Sequence, residues 1–182
     1  MMHPMEPGIL VFVLFRVATA LPVLRWPLAG GLLAIGGDLA DLLLRDLLGI
    51  GDLDYQLLDK LLDQVYLLLF LVVALRWEGA ERRVAVALYL YRLAGFALFL
   101  LTDERLVLLL FPNVFETWFL LVALLHHRRE SVRWTPALLA VALAGATAAK
   151  LVQEWALHGG RVFDGISSLE FLDQVRRLLT GG

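Results

Sequence analysis

The chain of 182 residues contains no cysteine and only six prolines, and its 16 basic side chains include just two lysines, Lys60 and Lys150. Without cysteine, neither a disulfide nor a thiolate metal site can form. Familiar catalytic motifs are also missing: there is no Gly-x-Ser-x-Gly, no His-Glu-x2-His and no phosphate-binding glycine-rich loop with lysine. The net charge of −2 offers no basic excess for nucleic acid, so a nucleic-acid-binding function is excluded.

Apolar residues are what the chain has in excess: they make up 60% of the sequence, at a mean hydropathy of +0.76. In soluble domains, apolar residues make up roughly 45–50% of the sequence. Apolar blocks recur at 8–24, 27–37, 57–75, 84–101, 106–125 and 136–157. A helix needs roughly 20 residues to cross the hydrocarbon core. The pattern therefore predicts an all-α, multi-pass bundle of about six transmembrane helices in the cell (inner) membrane, with the second span continuing through residue 48.

Two alternatives concern the limits of this bundle. Five spans would result if residues 8–37 formed a single broken helix, although Pro22 and Pro27 favour a turn between two helices. The transmembrane bundle is assigned to residues 1–160. Residues 161–182 are predicted to form an amphipathic tail, whose apolar stripe suits a helix lying on the bilayer or closing over the bundle.

Three Arg-Trp dipeptides, at 25–26, 76–77 and 133–134, predict the orientation. With six spans, all three lie in loops on one membrane face. Excess arginine marks cytoplasmic loops, and tryptophan prefers the headgroup level. The Arg-Trp loops are therefore expected to be cytoplasmic.

Acidic residues lie towards the opposite face. A carboxylate in hydrocarbon is costly, so ionisable groups at membrane depth usually line a polar cavity. The alternative is that they mark helix ends whose charges reach water. The candidates for an acidic half-membrane cavity are Asp38, Asp41, Asp59 and Asp63 as ligands of a divalent cation, with Lys60, Glu116, Lys150, Glu154 and His158 as a surrounding network.

Two further expectations concern individual residues in this cavity. Pro112-Asn113 predicts a break in span five that aims Glu116 inward, because proline interrupts a helix. Lys150 is expected to face the bundle interior and to pair with Glu154 or with an acid from span two or three, because an unpaired lysine in a bilayer is costly.

The spacing of the aspartates resembles the motif of the CDP-alcohol phosphotransferases, Asp-x2-Asp-Gly-x2-Ala-Arg-x8-Gly-x3-Asp-x3-Asp, which lies between spans two and three of a six-span fold. Asp38, Asp41, Asp59 and Asp63 reproduce its four acids, whereas residues 42 and 55, glycines in the family, are leucine and tyrosine here. The resemblance implies that the first three acids hold Mg²⁺ or Mn²⁺. Asp63 would then act as the catalytic base that deprotonates an alcohol attacking a CDP-activated lipid.

Two functions follow from the same residues. One is an integral membrane protein whose acidic cavity serves cation or proton binding, transport or a structural role, with a small ion or a lipid as ligand. The other is a metal-dependent lipid enzyme like the CDP-alcohol phosphotransferases, divergent or inactive. The substituted glycines favour the first.

Overall fold

The computed structural model describes residues 7–48, 52–102, 104, 107 and 110–155. Within these ranges the regular structure is entirely helical, as predicted. The helices are α1 Pro7–Ala20, α2 Pro27–Leu39, α3 Asp41–Leu48, α4 Asp52–Ala74, α5 Gly79–Thr102, α6 Val114–His127 and α7 Pro136–Glu154. His158 and the predicted amphipathic tail lie outside the described residues.

The first two apolar blocks are separate helices joined by a tight turn. A short 3₁₀ helix, Leu21–Leu24, follows α1, and the backbone N–H of Trp26 donates to the Pro22 carbonyl at 2.9 Å. Pro27 then begins α2, where its fixed φ suits the first helical turn and its missing N–H costs nothing. This arrangement supports two helices over residues 8–37 rather than one broken helix.

Two predicted spans are shorter than expected. The sequence predicts a second span that continues as one helix through residue 48, but α2 ends at Leu39 and α3 begins at Asp41, with Ala40 between them. The sequence predicts a fifth span that begins at residue 106, but residues 111–113 are not helical and α6 begins at Val114. Proline lacks the N–H that a continuous helix requires, so the break predicted at Pro112-Asn113 is confirmed.

The main core contains residues from several helices, and its aromatic rings lie mostly on α4 and α6. Phe70 of α4 stacks on Phe119 of α6 with ring centroids 4.1 Å apart, and Trp77 lies 5.2 Å from the same ring. Trp118 and Phe115 are fully buried beside them. Such offset aromatic pairs add to the free energy gained by removing their apolar surface from water. The two helices therefore form a fixed frame for the polar residues they carry.

By length and composition, two of the described helices could cross a membrane: Gly79–Thr102, which is α5, and Pro136–Gln153 within α7. Both pack at the edge of the bundle, α5 against α4 and α6, and α7 against α6. Their outer faces are apolar, with Leu101 84% and Val141 69% exposed. Shorter apolar helices cover Gly8–Leu24, Pro27–Leu39 and Val114–His127.

Candidate cation site and the buried network beside it

Arg16 of α1 is the centre of the candidate site. Its guanidinium is 4% exposed and meets three carboxylates: Nη1 lies 2.7 Å from Asp38 Oδ1, Nη2 donates to Asp63 Oδ1 at 2.9 Å, and Nε lies 3.2 Å from Asp41 Oδ2. The guanidinium can do this because its donors point in fixed, divergent directions. One side chain thus connects the end of α2, the start of α3 and the middle of α4.

A glycine allows α1 and α2 to approach closely enough for these contacts. A Cβ atom added to Gly37 would lie 2.5 Å from Thr19 Oγ1, so any larger residue would push the two helices apart. The Thr19 hydroxyl is itself held in place because it lies within hydrogen-bonding distance of the Phe15 and Arg16 carbonyls. Because Gly37 precedes Asp38, this close approach brings Asp38 within reach of Arg16.

Three of the aspartates converge on one point. Single carboxylate oxygens of Asp38, Asp41 and Asp59 lie within 4.8 Å of one another. Asp41 is only 1% exposed, and neither of its oxygens has a hydrogen-bond donor among the described residues, although Nε of Arg16 lies 3.2 Å from Oδ2. A buried carboxylate without donors is costly unless a cation neutralises it. Carboxylate oxygens in this arrangement are the ligands that Mg²⁺ and Ca²⁺ take.

Lys60 and Asp63 complete this group, which we call the acidic cluster: Arg16, Asp38, Asp41, Asp59, Lys60 and Asp63. Lys60 Nζ donates to Asp59 Oδ2 at 2.6 Å and lies 3.9 Å from Asp63 Oδ2. Four carboxylates against one guanidinium and one ammonium leave two formal negative charges uncompensated. One divalent cation would neutralise the cluster.

A second group, the interior network, lies between α4, α6 and α7. It consists of Tyr66, Asn113, Glu116, Lys150 and Gln153. The Tyr66 hydroxyl donates to Glu116 Oε2 at 2.8 Å, and Asn113 Nδ2 donates to the same oxygen at 3.0 Å. Glu116 is 3% exposed, so its inward orientation, predicted from the break at Pro112-Asn113, is confirmed.

Lys150 supplies the positive charge of the interior network. It is 8% exposed, and its Nζ donates to Glu116 Oε1 and to Gln153 Oε1, both at 3.3 Å. The prediction that Lys150 faces the interior is confirmed. The acid that it contacts is Glu116 of α6 rather than an acid from the predicted second or third span. The side chain of Glu154, the other predicted partner, lies outside the described part of the structure.

Tyr66 connects the two groups. The Arg16 guanidinium carbon lies 5.6 Å from the centre of the Tyr66 ring, while the Tyr66 hydroxyl belongs to the interior network. A guanidinium over an aromatic face at this distance is attracted by the ring's negative quadrupole. Tyr66 therefore contacts both groups, the acidic cluster through the face of its ring and the interior network through its hydroxyl.

The structure brings most of the predicted site residues together, but in two groups. Asp38, Asp41, Asp59, Asp63 and Lys60 meet in one; Glu116 and Lys150 meet in the other. Asp63, predicted as a fourth metal ligand, is bound by Arg16 instead of belonging to the convergent set. Sequence reasoning missed Arg16 and Tyr66 as members of the site. The signal for Arg16 was present, because an arginine inside an apolar block demands buried acidic partners.

Among protein-family models, curated proteins and solved structures, no match to this chain was found. The resemblance to the CDP-alcohol phosphotransferases therefore depends on the spacing of four acids alone.

Proposed function

We propose that this protein is a multi-pass membrane protein that binds one divalent cation, Mg²⁺ or Mn²⁺, between α2, α3 and α4. The observation that carries this proposal is Asp41, a carboxylate that is 1% exposed, lacks a hydrogen-bond donor among the described residues and converges with Asp38 and Asp59. A cation at that point would add a second positive partner to Arg16, which lies 3.2 Å from Asp41 Oδ2. A cation bound at this point is compatible with a transport, a structural or a catalytic role.

The surface of the bundle supports the membrane placement. The exposed side chains of α5 and α7 are predominantly apolar, and contiguous apolar surface of this kind is rare on soluble monomers. In a bilayer the same faces would contact acyl chains. The two helices that expose them are also the described helices that are both long and apolar enough to span the hydrocarbon core.

The depth of the acidic cluster also agrees with a half-membrane cavity. Asp63 lies eleven residues before Ala74, the last residue of α4, which corresponds to about 16 Å along the helix. The hydrocarbon core is about 30 Å thick. With Ala74 near one interface, Asp63 would lie close to the middle of the membrane. Trp26 and Trp77 line one cavity at that interface, as expected if the loops after spans one and three share a face.

Thermal melting in detergent tests the proposal. Millimolar Mg²⁺ or Mn²⁺ is expected to raise the melting temperature of the protein, and Asp59→Asn should abolish the rise because it removes one of the three converging ligands. Glu78→Gln is the matched control, since Glu78 is an exposed acid in the turn between α4 and α5. The absence of a metal-dependent shift in the unmodified protein would contradict the proposal and leave protons as the neutralising species.

A second candidate function is metal-dependent phosphotransfer to or from a lipid. One observation favours it: the acids that converge are Asp38, Asp41 and Asp59, the three to which the resemblance assigns the metal. Asp63, the implied base, is bound by Arg16 and would have to leave it to accept a proton. Release of CMP from CDP-diacylglycerol, dependent on Mn²⁺ and lost in Asp63→Asn, would favour this function. Metal-dependent stabilisation without CMP release would contradict it.

A further inference from the structure

A cavity of about 390 Å³ opens at the end of the bundle that carries the Arg-Trp turns, away from the acidic cluster. This volume lies within the range of small-molecule sites, roughly 300–1,000 Å³. Its walls come from the turn before α2, the first turns of α2, the turn after α4 and the end of α6. The lining residues include Arg25, Trp26, Trp77, His126 and His127.

The polar part of the lining is basic. Arg25, His126 and His127 contribute to it, and no acidic residue does. Among the described residues, the Arg25 side chain makes no ion pair, and it is exposed. His126 is oriented by Glu81, whose carboxylate lies 2.8 Å from its Nε2 and also accepts from Trp134 Nε1 at 2.9 Å. The positive charge of Arg25 is therefore available to an anionic group in the cavity.

The rest of the lining is apolar and continues along α2. Leu28 and Leu32 belong to the wall, and Leu32 is 55% exposed on the outer face of the helix. Trp26 is 62% exposed at the mouth, in the position that tryptophan takes at the headgroup level of a bilayer. A ligand that combines an anionic head with an apolar tail fits both parts of the lining.

We propose that this cavity binds the phosphate of an anionic phospholipid, with the headgroup between Arg25 and the two histidines and an acyl chain along Leu28 and Leu32. Guanidinium groups pair with phosphate through charge-assisted, bidentate hydrogen bonds. The proposal requires the membrane placement described above, but it does not depend on the cation site. If the lipid proposal fails, the cation-site proposal is therefore unaffected, and the reverse also holds.

The test compares lipids by thermal melting of the purified protein in a neutral detergent. Phosphatidylglycerol at ten times its Kd is expected to raise the melting temperature by about 3–6 °C, and phosphatidylcholine by clearly less. Arg25→Gln should remove the difference between the two lipids. Arg83→Gln is the matched control, because Arg83 is exposed in the first turns of α5 but does not line the cavity.

Three outcomes would overturn the proposal. Equal stabilisation by both lipids would show that no anionic headgroup is selected, and equal losses in the two arginine variants would show a general surface-charge effect. Inorganic phosphate that stabilises as well as the lipid would assign the cavity to a soluble phosphate. Native mass spectrometry provides a second measurement, in which unmodified protein and Arg83→Gln, but not Arg25→Gln, should retain one phosphatidylglycerol molecule.

Discussion

Replacing Arg16 should destabilise the protein and at the same time strengthen its response to divalent cations. In Arg16→Gln the guanidinium that meets Asp38, Asp41 and Asp63 is lost, and three uncompensated negative charges remain in the cluster. Breaking a buried ion pair by removing one partner costs about 3–5 kcal/mol. Asp41 and Asp63 should contribute most, because their side chains are 2% and 14% exposed, whereas the side chain of Asp38 is 31% exposed and is partly screened by water. The melting temperature should fall by roughly 6–20 °C in the absence of metal.

A divalent cation should recover much of this loss. A ligand at a hundred times its Kd stabilises a folded protein by about 2.7 kcal/mol, and each further tenfold gain in affinity adds about 1.4 kcal/mol. Because Arg16 and the cation compete for the same carboxylates, Arg16→Gln should bind Mg²⁺ or Mn²⁺ more tightly than the unmodified protein. The rise in melting temperature on adding metal should therefore be larger in the variant.

Arg92→Gln is the matched control for this experiment. Arg92 is half-buried, whereas Arg16 is buried; its Nη1 donates to the Phe111 carbonyl at 2.7 Å, and no acid among the described residues contacts it. This variant should lose stability without any change in its response to metal. The reasoning would be refuted if Arg16→Gln lost less than about 1 kcal/mol, since buried pairs cost more to break. A metal-induced shift no larger than that of the unmodified protein would refute the competition.

Two further predictions concern the interior network and the topology. The destabilisations caused by Lys150→Met and by Glu116→Gln should add up to more than the destabilisation of the double variant, because each single change leaves a buried polar group without its partner. Simple additivity of the two effects in detergent melting would argue against the pair. Reporter fusions in residues 77–83 should indicate a cytoplasmic location and fusions in residues 49–55 the opposite one. The reverse pattern would overturn the orientation and would favour the phosphotransferase function, because the resemblance implies a site that faces the cytoplasm.

The gathering of the aspartates could be predicted from the sequence, because their order along two neighbouring helices already placed them at one level. The all-helical architecture followed from the lengths of the apolar blocks. The inward orientation of Glu116 followed from the break at Pro112, and that of Lys150 from the cost of an unpaired charge in a bilayer. These features depend on local pattern. A pattern of this kind is visible in a single sequence.

The partners across the bundle could not be predicted in the same way. Arg16 reaches acids on α2, α3 and α4 only because Gly37 lets α1 approach α2, and this contact depends on packing rather than on spacing. The break at Ala40 likewise places Asp38 and Asp41 on different helices, although the sequence predicts a second span that continues through residue 48. Lys150 and Glu116 pair because α6 and α7 pack together. Such pairings are set by tertiary structure.

Direct measurement of Mn²⁺ binding tests the central claim most sharply. Titration of the purified protein with Mn²⁺, followed by electron paramagnetic resonance of the free ion, should show one bound ion per chain that Mg²⁺ displaces. Asp41→Asn should abolish the binding, because Asp41 is a buried member of the three converging carboxylates; Glu78→Gln should leave it unchanged. No saturable binding at millimolar Mn²⁺, or binding that survives in Asp41→Asn, would contradict the assignment of the acidic cluster as a divalent-cation site.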